Sequence, residues 1–360
     1  MRIAVRLITI FVILSSFLVP VQYGSSPAIG SIQDSLILEI VSNADLIASG
    51  TVTDLWSAWN DDRSHINTAV VLSIESIIKG DPNQNQITIN VPGGQVNGLT
   101  ERVSGNPEFL LGENVLVFLT PSTLDSDRQE KEFRVYRGFQ GKYRIESGRI
   151  GPISFDQLVS TINDMLVGKP FLESTNLSLQ SSLDSSYSLS GLSWPHPPNP
   201  SVSFRINENT SDCTGEGSAV QSAASTWNGA FAKFSFTYGG GTSASAPTQN
   251  YVNEVMWGET VNDNALAETT IWYLSNQQIV ECDLVFNDDF SWSTASTPAA
   301  NKYDVQSIAL HEFGHFLNLN DLYSESDSSR VLSISEMGHF LNRTLLDNQV
   351  ALTSSLRPRL

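Results

Sequence analysis

The chain has 360 residues, 40% of them hydrophobic and 16% charged, and a formal net charge of −18. That length holds two domains of ordinary size, and the composition excludes a disordered or collagen-like chain. So acidic a balance argues against a nucleic-acid partner, which needs a basic stripe, and against docking on an anionic membrane surface.

Residues 1–28 have the layout of a secretory signal. Arg2 and Arg6 precede an apolar run from Leu7 to Val19, and a small-residue stretch ends at Ala28. The run is short for a membrane span, which takes roughly 20 apolar residues. A cleaved signal and an uncleaved N-terminal anchor both remain open. Either implies a secreted protein, extracellular or associated with the cell envelope, with no other membrane contact.

Residues 30–168 read as a β-rich domain of unknown role. A short helical pattern is followed by "IASGTVTDLW", "INTAVVLSIESIIKG", "NQITINVPGG", "NVLVFLT", "EFRVYR" and "GKYRIESGRIG", each bounded by Gly, Pro, Asn or Asp. Short strands at this spacing predict a small barrel or sandwich. A helix closes the domain, with Phe155, Leu158, Val159, Ile162, Met165 and Leu166 at helical spacing and Ser154 or Asp156 as cap. Residues 169–193 are serine-rich and have linker composition.

Residues 194–360 predict a mixed α+β domain. "SVSFRIN", "KFSFTYGGG" and "TTIWYLSNQQIVECDLVFND" read as strands, the last as two joined at Ser275-Asn276-Gln277. "SAVQSAASTWNGAF" and "YDVQSIALHEFGHFLNL" read as helices, the second capped by Asp304. The two cysteines, Cys213 and Cys282, form one disulfide or remain two buried thiols.

The second helix carries the chemistry. His311 and His315 stand one turn apart, on one face, and both can reach a single Zn²⁺. Glu312 lies beside them, placed to hold a water and take its proton. The surrounding helix is apolar, and a metal gives three ionisable side chains there a reason to exist. Gly314 is expected to admit another backbone closely. Catalytic zinc takes three protein ligands, and Asp321 follows in HEFGHFLNLND. For Asp321 to face the metal the helix must end near residue 318 and the chain must swing back. Asn318 is the residue that enters the left-handed region there. His339 and Glu336 are rival third ligands with nothing local to position them.

This segment resembles the metzincin signature HExxHxxGxxH/D. "SIALHEFGHFLNL" is most similar to the matrixin branch, and the closing Asp321 to the snapalysin branch. "ECDLVFNDDFSW", from Glu281 to Trp292, resembles the strand and loop preceding the matrixin active-site helix. The resemblance covers residues 194 to 350, and its specific part is residues 311 to 321. It implies an α+β catalytic domain with a mixed sheet and an active-site helix, His311, His315 and Asp321 as zinc ligands, Glu312 as general base, and hydrolysis of peptide bonds in protein or peptide substrates. The sequence departs from the family at Asn318, in place of glycine, and at the methionine beneath the metal, where either Leu332 or Met337 stands. Tyr323 is either an oxyanion donor or an aromatic packing beside the site. Substrate is expected along an edge strand, with Cys282 to Phe286 as the candidate.

Asp288, Asp289 and the stretch from Ser324 to Ser329 are candidate Ca²⁺ ligands without EF-hand spacing. Asn176, Asn209 and Asn342 lie in glycosylation sequons. The N-terminal domain has no cysteine to block a zinc, and His196 at the junction offers an inhibitory contact or a turn. The competing reading is non-enzymatic: a surface or matrix-binding protein whose metal helix is structural.

Overall fold

The computed structural model describes residues 37–122, 132–151, 153–169, 188–195, 200–230 and 234–321. The signal segment, Asn176, His196, Tyr323, the stretch from Ser324 to Ser329, Leu332, Glu336, Met337, His339 and Asn342 lie outside the described residues. The fold is mixed α+β and rich in sheet. No helix among the described residues is long and apolar enough to cross a membrane.

A helix over residues 37–43 (α1) leads into β1 (Leu46–Trp59), β2 (Ile66–Lys79) and β3 (Gln86–Pro92). A hairpin of β4 (Gly94–Val96) and β5 (Leu99–Val103) follows, then β6 (Asn114–Pro121), β7 (Glu132–Val135) and β8 (Lys142–Arg144). β6 pairs back onto β1, so the order β1-β2-β3-β7-β6 closes into a five-stranded barrel, with β8 outside on β6. Alternating side chains fill it, among them Leu46, Val52, Leu72, Ile89, Val117 and Phe133. The opposite face of β1 and β6 presents Ile47, Leu116 and Phe118, which α1 and α2 (Phe155–Leu166) cover with Ile40, Val41, Ile162 and Met165. A ribbon of β9 (Arg149–Ile150) and β10 (Ile153–Ser154) enters α2, whose cap is Ser154, accepting from the Gln157 N–H at 3.2 Å.

The second unit contains β11 (Ser188–Leu189), β12 (Ser201–Ile206), α3 (Glu216–Gly229), β13 (Ser235–Gly241), β14 (Asn253–Gly258), β15 (Ala267–Leu274), β16 (Ile279–Asn287), β17 (Trp292–Ser293), β18 (Tyr303–Asp304), α4 (Val305–Phe316) and β19 (Leu319–Asn320). Its main sheet has the order β13-β12-β14-β16-β15-β5-β4. The first four strands are parallel, and β15, β5 and β4 each run antiparallel to the strand before. α3 and α4 pack together, and the Trp227 indole N–H donates to the Leu310 carbonyl at 2.9 Å. Phe204, Phe236, Phe286, Phe313 and Phe316 knit the helices to the sheet.

Three sequence expectations change here. β4 and β5, from the stretch read as the first domain, extend the second unit's sheet. Gly94, at φ 139°, makes this possible, because a side chain there would strike the Ser57 and Thr68 hydroxyls. Residues 188–193, read as the end of the linker, are built into the second unit. β11 pairs with β19, and Ser193 bridges to Gln278. The strand Cys282–Phe286 is not an edge, because β16 lies between β14 and β15. Both of its faces are buried: Cys282, Leu284 and Phe286 pack in the core under the helices, and on the other face Asp283 accepts the N–H groups of Thr248 and Glu254. Cys213 and Cys282 are both free thiols, the second buried in the core.

Candidate metal centre

The Asp304 carboxylate starts α4 by accepting the Ser307 N–H at 2.8 Å. Val305, Ile308, Ala309, Leu310, Phe313 and Phe316 bury the helix, which fixes the face carrying His311 and His315. Their rings stand edge to face, with centroids 5.0 Å apart. His311, Glu312 and His315 offer ligand atoms within 4.8 Å of one another.

After Phe316 the chain reverses. Asn318 has φ 71°, the left-handed conformation the spacing demanded. Its side-chain oxygen accepts the Leu192 N–H at 2.8 Å and the Ser190 hydroxyl, and its carbonyl accepts the Ser190 N–H at 2.9 Å. The Trp194 indole N–H donates to the Phe316 carbonyl at 2.7 Å, satisfying one of the free carbonyls at the helix end. The segment 188–194 therefore clamps the turn.

That turn delivers Asp321. Its Oδ1 lies 3.2 Å from His311 Nε2 and 3.7 Å from His315 Nε2. His315 Nδ1 is 2.9 Å from the Leu319 carbonyl oxygen. A carbonyl only accepts, so Nδ1 carries a proton and Nε2 is the nitrogen turned toward the cluster. Glu312 is buried, its Oε2 4.0 Å from His315 Nε2, and it accepts the Thr269 hydroxyl at 2.7 Å. The side chains of His311 and Asp321 keep 30% and 20% exposure, so the cluster opens to solvent on their side. Two imidazole nitrogens and a carboxylate oxygen turned toward one point, with a carbonyl fixing one tautomer, are a donor set suited to Zn²⁺.

Charge follows the geometry. Burial disfavours the charged His311 ring, but the hydrogen bond and charge of Asp321, with Glu312 behind them, prevail and raise its pKa to about 9. Burial likewise opposes the charged Asp321 carboxylate. The charge of His315, the hydrogen bond and charge of His311, and the nearby Arg102 hold it well below the usual carboxylate range.

Arg102 and Thr269 were not singled out in the sequence. Arg102 Nη1 donates to Asn320 Oδ1 at 3.0 Å from a strand 218 positions away. Thr269, on β15, hydrogen-bonds Glu312 and packs under α4. Asp288 and Asp289 belong to no group of metal donors among the described residues, and the sequon at Asn209 is exposed. Gly314 has no backbone against it. A side chain there would first meet Trp227 Cζ2 at 3.5 Å.

No protein-family model matches the chain, and no curated protein matches it.

Proposed function

We propose that this chain is a zinc-dependent endopeptidase of the metzincin type, with His311, His315 and Asp321 as metal ligands and Glu312 as general base. The observation that carries the reading is the approach of Asp321 Oδ1 to both imidazole Nε2 atoms, at 3.2 and 3.7 Å, through the left-handed turn at Asn318. The mixed sheet, with α4 packed on antiparallel β15, supports it further. Zinc bound there supplies a Lewis acid that polarises a carbonyl and lowers the pKa of a water to roughly 7.

The remaining work falls to the chain. Glu312 takes a proton from the attacking water at Oε1 or Oε2 and later gives it to the leaving amine. The Thr269 hydroxyl, 2.7 Å from Oε2, holds the carboxylate on the side of His315. The apolar wall of α4 keeps bulk water from behind Glu312 and strengthens its interactions. With a secretory signal at residues 1–28, the substrates would be proteins or peptides outside the cell.

The test is zinc per molecule together with cleavage of an unstructured protein, with chelated protein and Glu312→Ala as controls. It is run on the wild type and on Arg102→Ala/Ser104→Pro, because β5 pairs with the strand beside the site. Zinc bound in both, with cleavage in neither, or cleavage untouched by Glu312→Ala, would overturn the reading in favour of a structural metal helix.

A further inference from the structure

β15 is the outer strand of the second unit's own sheet, and it runs beside the metal cluster. Thr269 holds Glu312 through its side chain, while its backbone faces outward along the sheet. An extended polypeptide reaching the cluster would pair with that backbone, because main-chain hydrogen bonds to a sheet edge hold a strand of any sequence. The position is already filled. β5 pairs antiparallel with β15 from Leu99–Leu274 to Val103–Thr270. At its end the Ser104 N–H donates to the Thr269 carbonyl at 2.9 Å, and the Thr269 N–H donates to Ser104 Oγ at 2.8 Å. Both backbone groups of the residue that holds Glu312 are therefore taken.

The side chains of β5 divide by face. Arg102 is opposite Ile271, on the side of β15 that carries Thr269 and faces α4, and its guanidinium reaches Asn320 beside Asp321. Glu101 points the other way, toward the start of β2, where its carboxylate lies 2.8 Å from His65 Nδ1 and accepts the Ile66 N–H. One face of β5 thus touches the site and the other is anchored to the first unit. Arg134 of β7 adds a second tie, donating to Asp263 in the loop before β15 at 3.1 Å.

We propose that β5 occupies the strand position through which an extended peptide would reach the His311–Glu312–His315 cluster, making the barrel a covalently attached competitor for the site. The peptide class rests on the protease reading. The occupancy rests on the pairing alone. Cleavage by the wild-type chain then requires β5 to leave β15, and the apparent affinity for peptide falls by the fraction of molecules in which it has left.

The probe is a fluorescent peptide copying residues 94–106, measured by anisotropy against the full chain with and without zinc. Arg102→Ala/Ser104→Pro removes the guanidinium contact and both Ser104–Thr269 bonds. Circular dichroism checks its fold, and Arg102→Ala/Ser104→Ala replaces it should proline prevent folding. The released chain should bind the peptide at least about tenfold more tightly than wild type, and should cut an unstructured protein faster by a similar factor. Equal binding by wild type and released chain, or binding by neither, overturns the occupancy. Tighter peptide binding by the released chain without cleavage leaves the occupancy standing and overturns the protease reading instead.

Discussion

The side-chain oxygen of Asn318 accepts the backbone N–H of Leu192 at 2.8 Å, across a turn whose backbone would also suit glycine. Asparagine thus does two things at once. It enters the left-handed region, and it ties the first segment of the second unit to the turn that presents Asp321. Asn318→Gly should keep the turn and lose the tie, costing about 1–2 kcal/mol in urea unfolding while zinc stays bound. Asn318→Val should add backbone strain of about 1–3 kcal/mol and weaken zinc binding. Equal zinc affinity in the two variants would contradict this division.

On the proposed reading, Glu312 and Asp321 should separate chemistry from binding. Glu312→Gln is expected to retain zinc through dialysis and to lose about 10²–10⁴-fold in hydrolysis. Asp321→Ala should lose the metal itself, read as a drop in zinc per molecule before any rate is measured. Full zinc occupancy in Asp321→Ala would show that another residue completes the site.

Gly314 is replaceable. A side chain there meets Trp227 Cζ2 at 3.5 Å and Leu319 Cδ1 at 3.6 Å, which are ordinary packing distances. Gly314→Ala should stabilise the protein by about 0.5–1 kcal/mol, because alanine loses less backbone freedom in a helix. A raised melting temperature with unchanged zinc content is the expected outcome.

Glu281, on β16, titrates near neutrality. Burial pushes its pKa to about 7, against the lowering effect of the N–H groups of Asn250 and Tyr251, and Glu254 adds repulsion. Asp283 beside it is also raised by burial and by the charge of Glu281. An acid whose folded pKa lies above its unfolded value binds more protons in the folded state between the two. Stability from this group is therefore present at low pH and is lost as pH rises from about 4.5 through about 7. Urea midpoints should fall between pH 5.5 and 7.5 in the wild type and fall less in Glu281→Gln. An identical slope in both would exclude Glu281 as the source.

Much of this was legible in the chain. The barrel strands appear where alternation and turn residues put them, and Asp304, Asn318 and Asp321 follow from helix-end chemistry acting over one or two turns. The partner of β5 was not legible. "LTERV" carries adjacent Glu101 and Arg102 and looks like a polar connection. Its charges make sense only once Glu101 meets His65 on one side and Arg102 meets Asn320 on the other. Ser104 and Thr269 are 165 positions apart, and no periodicity reports a pairing of that range. The misplaced edge strand was no more legible. "IVECDLVFN" alternates, with Cys282, Leu284 and Phe286 on the face toward the helices and Glu281, Asp283 and Asn287 on the other, a pattern that suits an edge strand as well as an interior one. The burial of the polar face follows only from the distant N–H groups of Thr248, Asn250 and Glu254 that meet its carboxylates.

The β4–β5 hairpin also bears on solubility. A closed barrel has no open sheet edge, and the hairpin gives the second sheet a covered margin at β15. Without β5, the β15 backbone from Thr269 to Leu274 would present unpaired N–H and C=O groups, with Trp272 and Tyr273 among its side chains, a template that joins readily to a second copy of itself. The same strand that lies beside the His311–Glu312–His315 cluster thereby covers an edge open to edge-to-edge association. A freed second unit should become concentration-limited in sedimentation while the intact protein stays monodisperse.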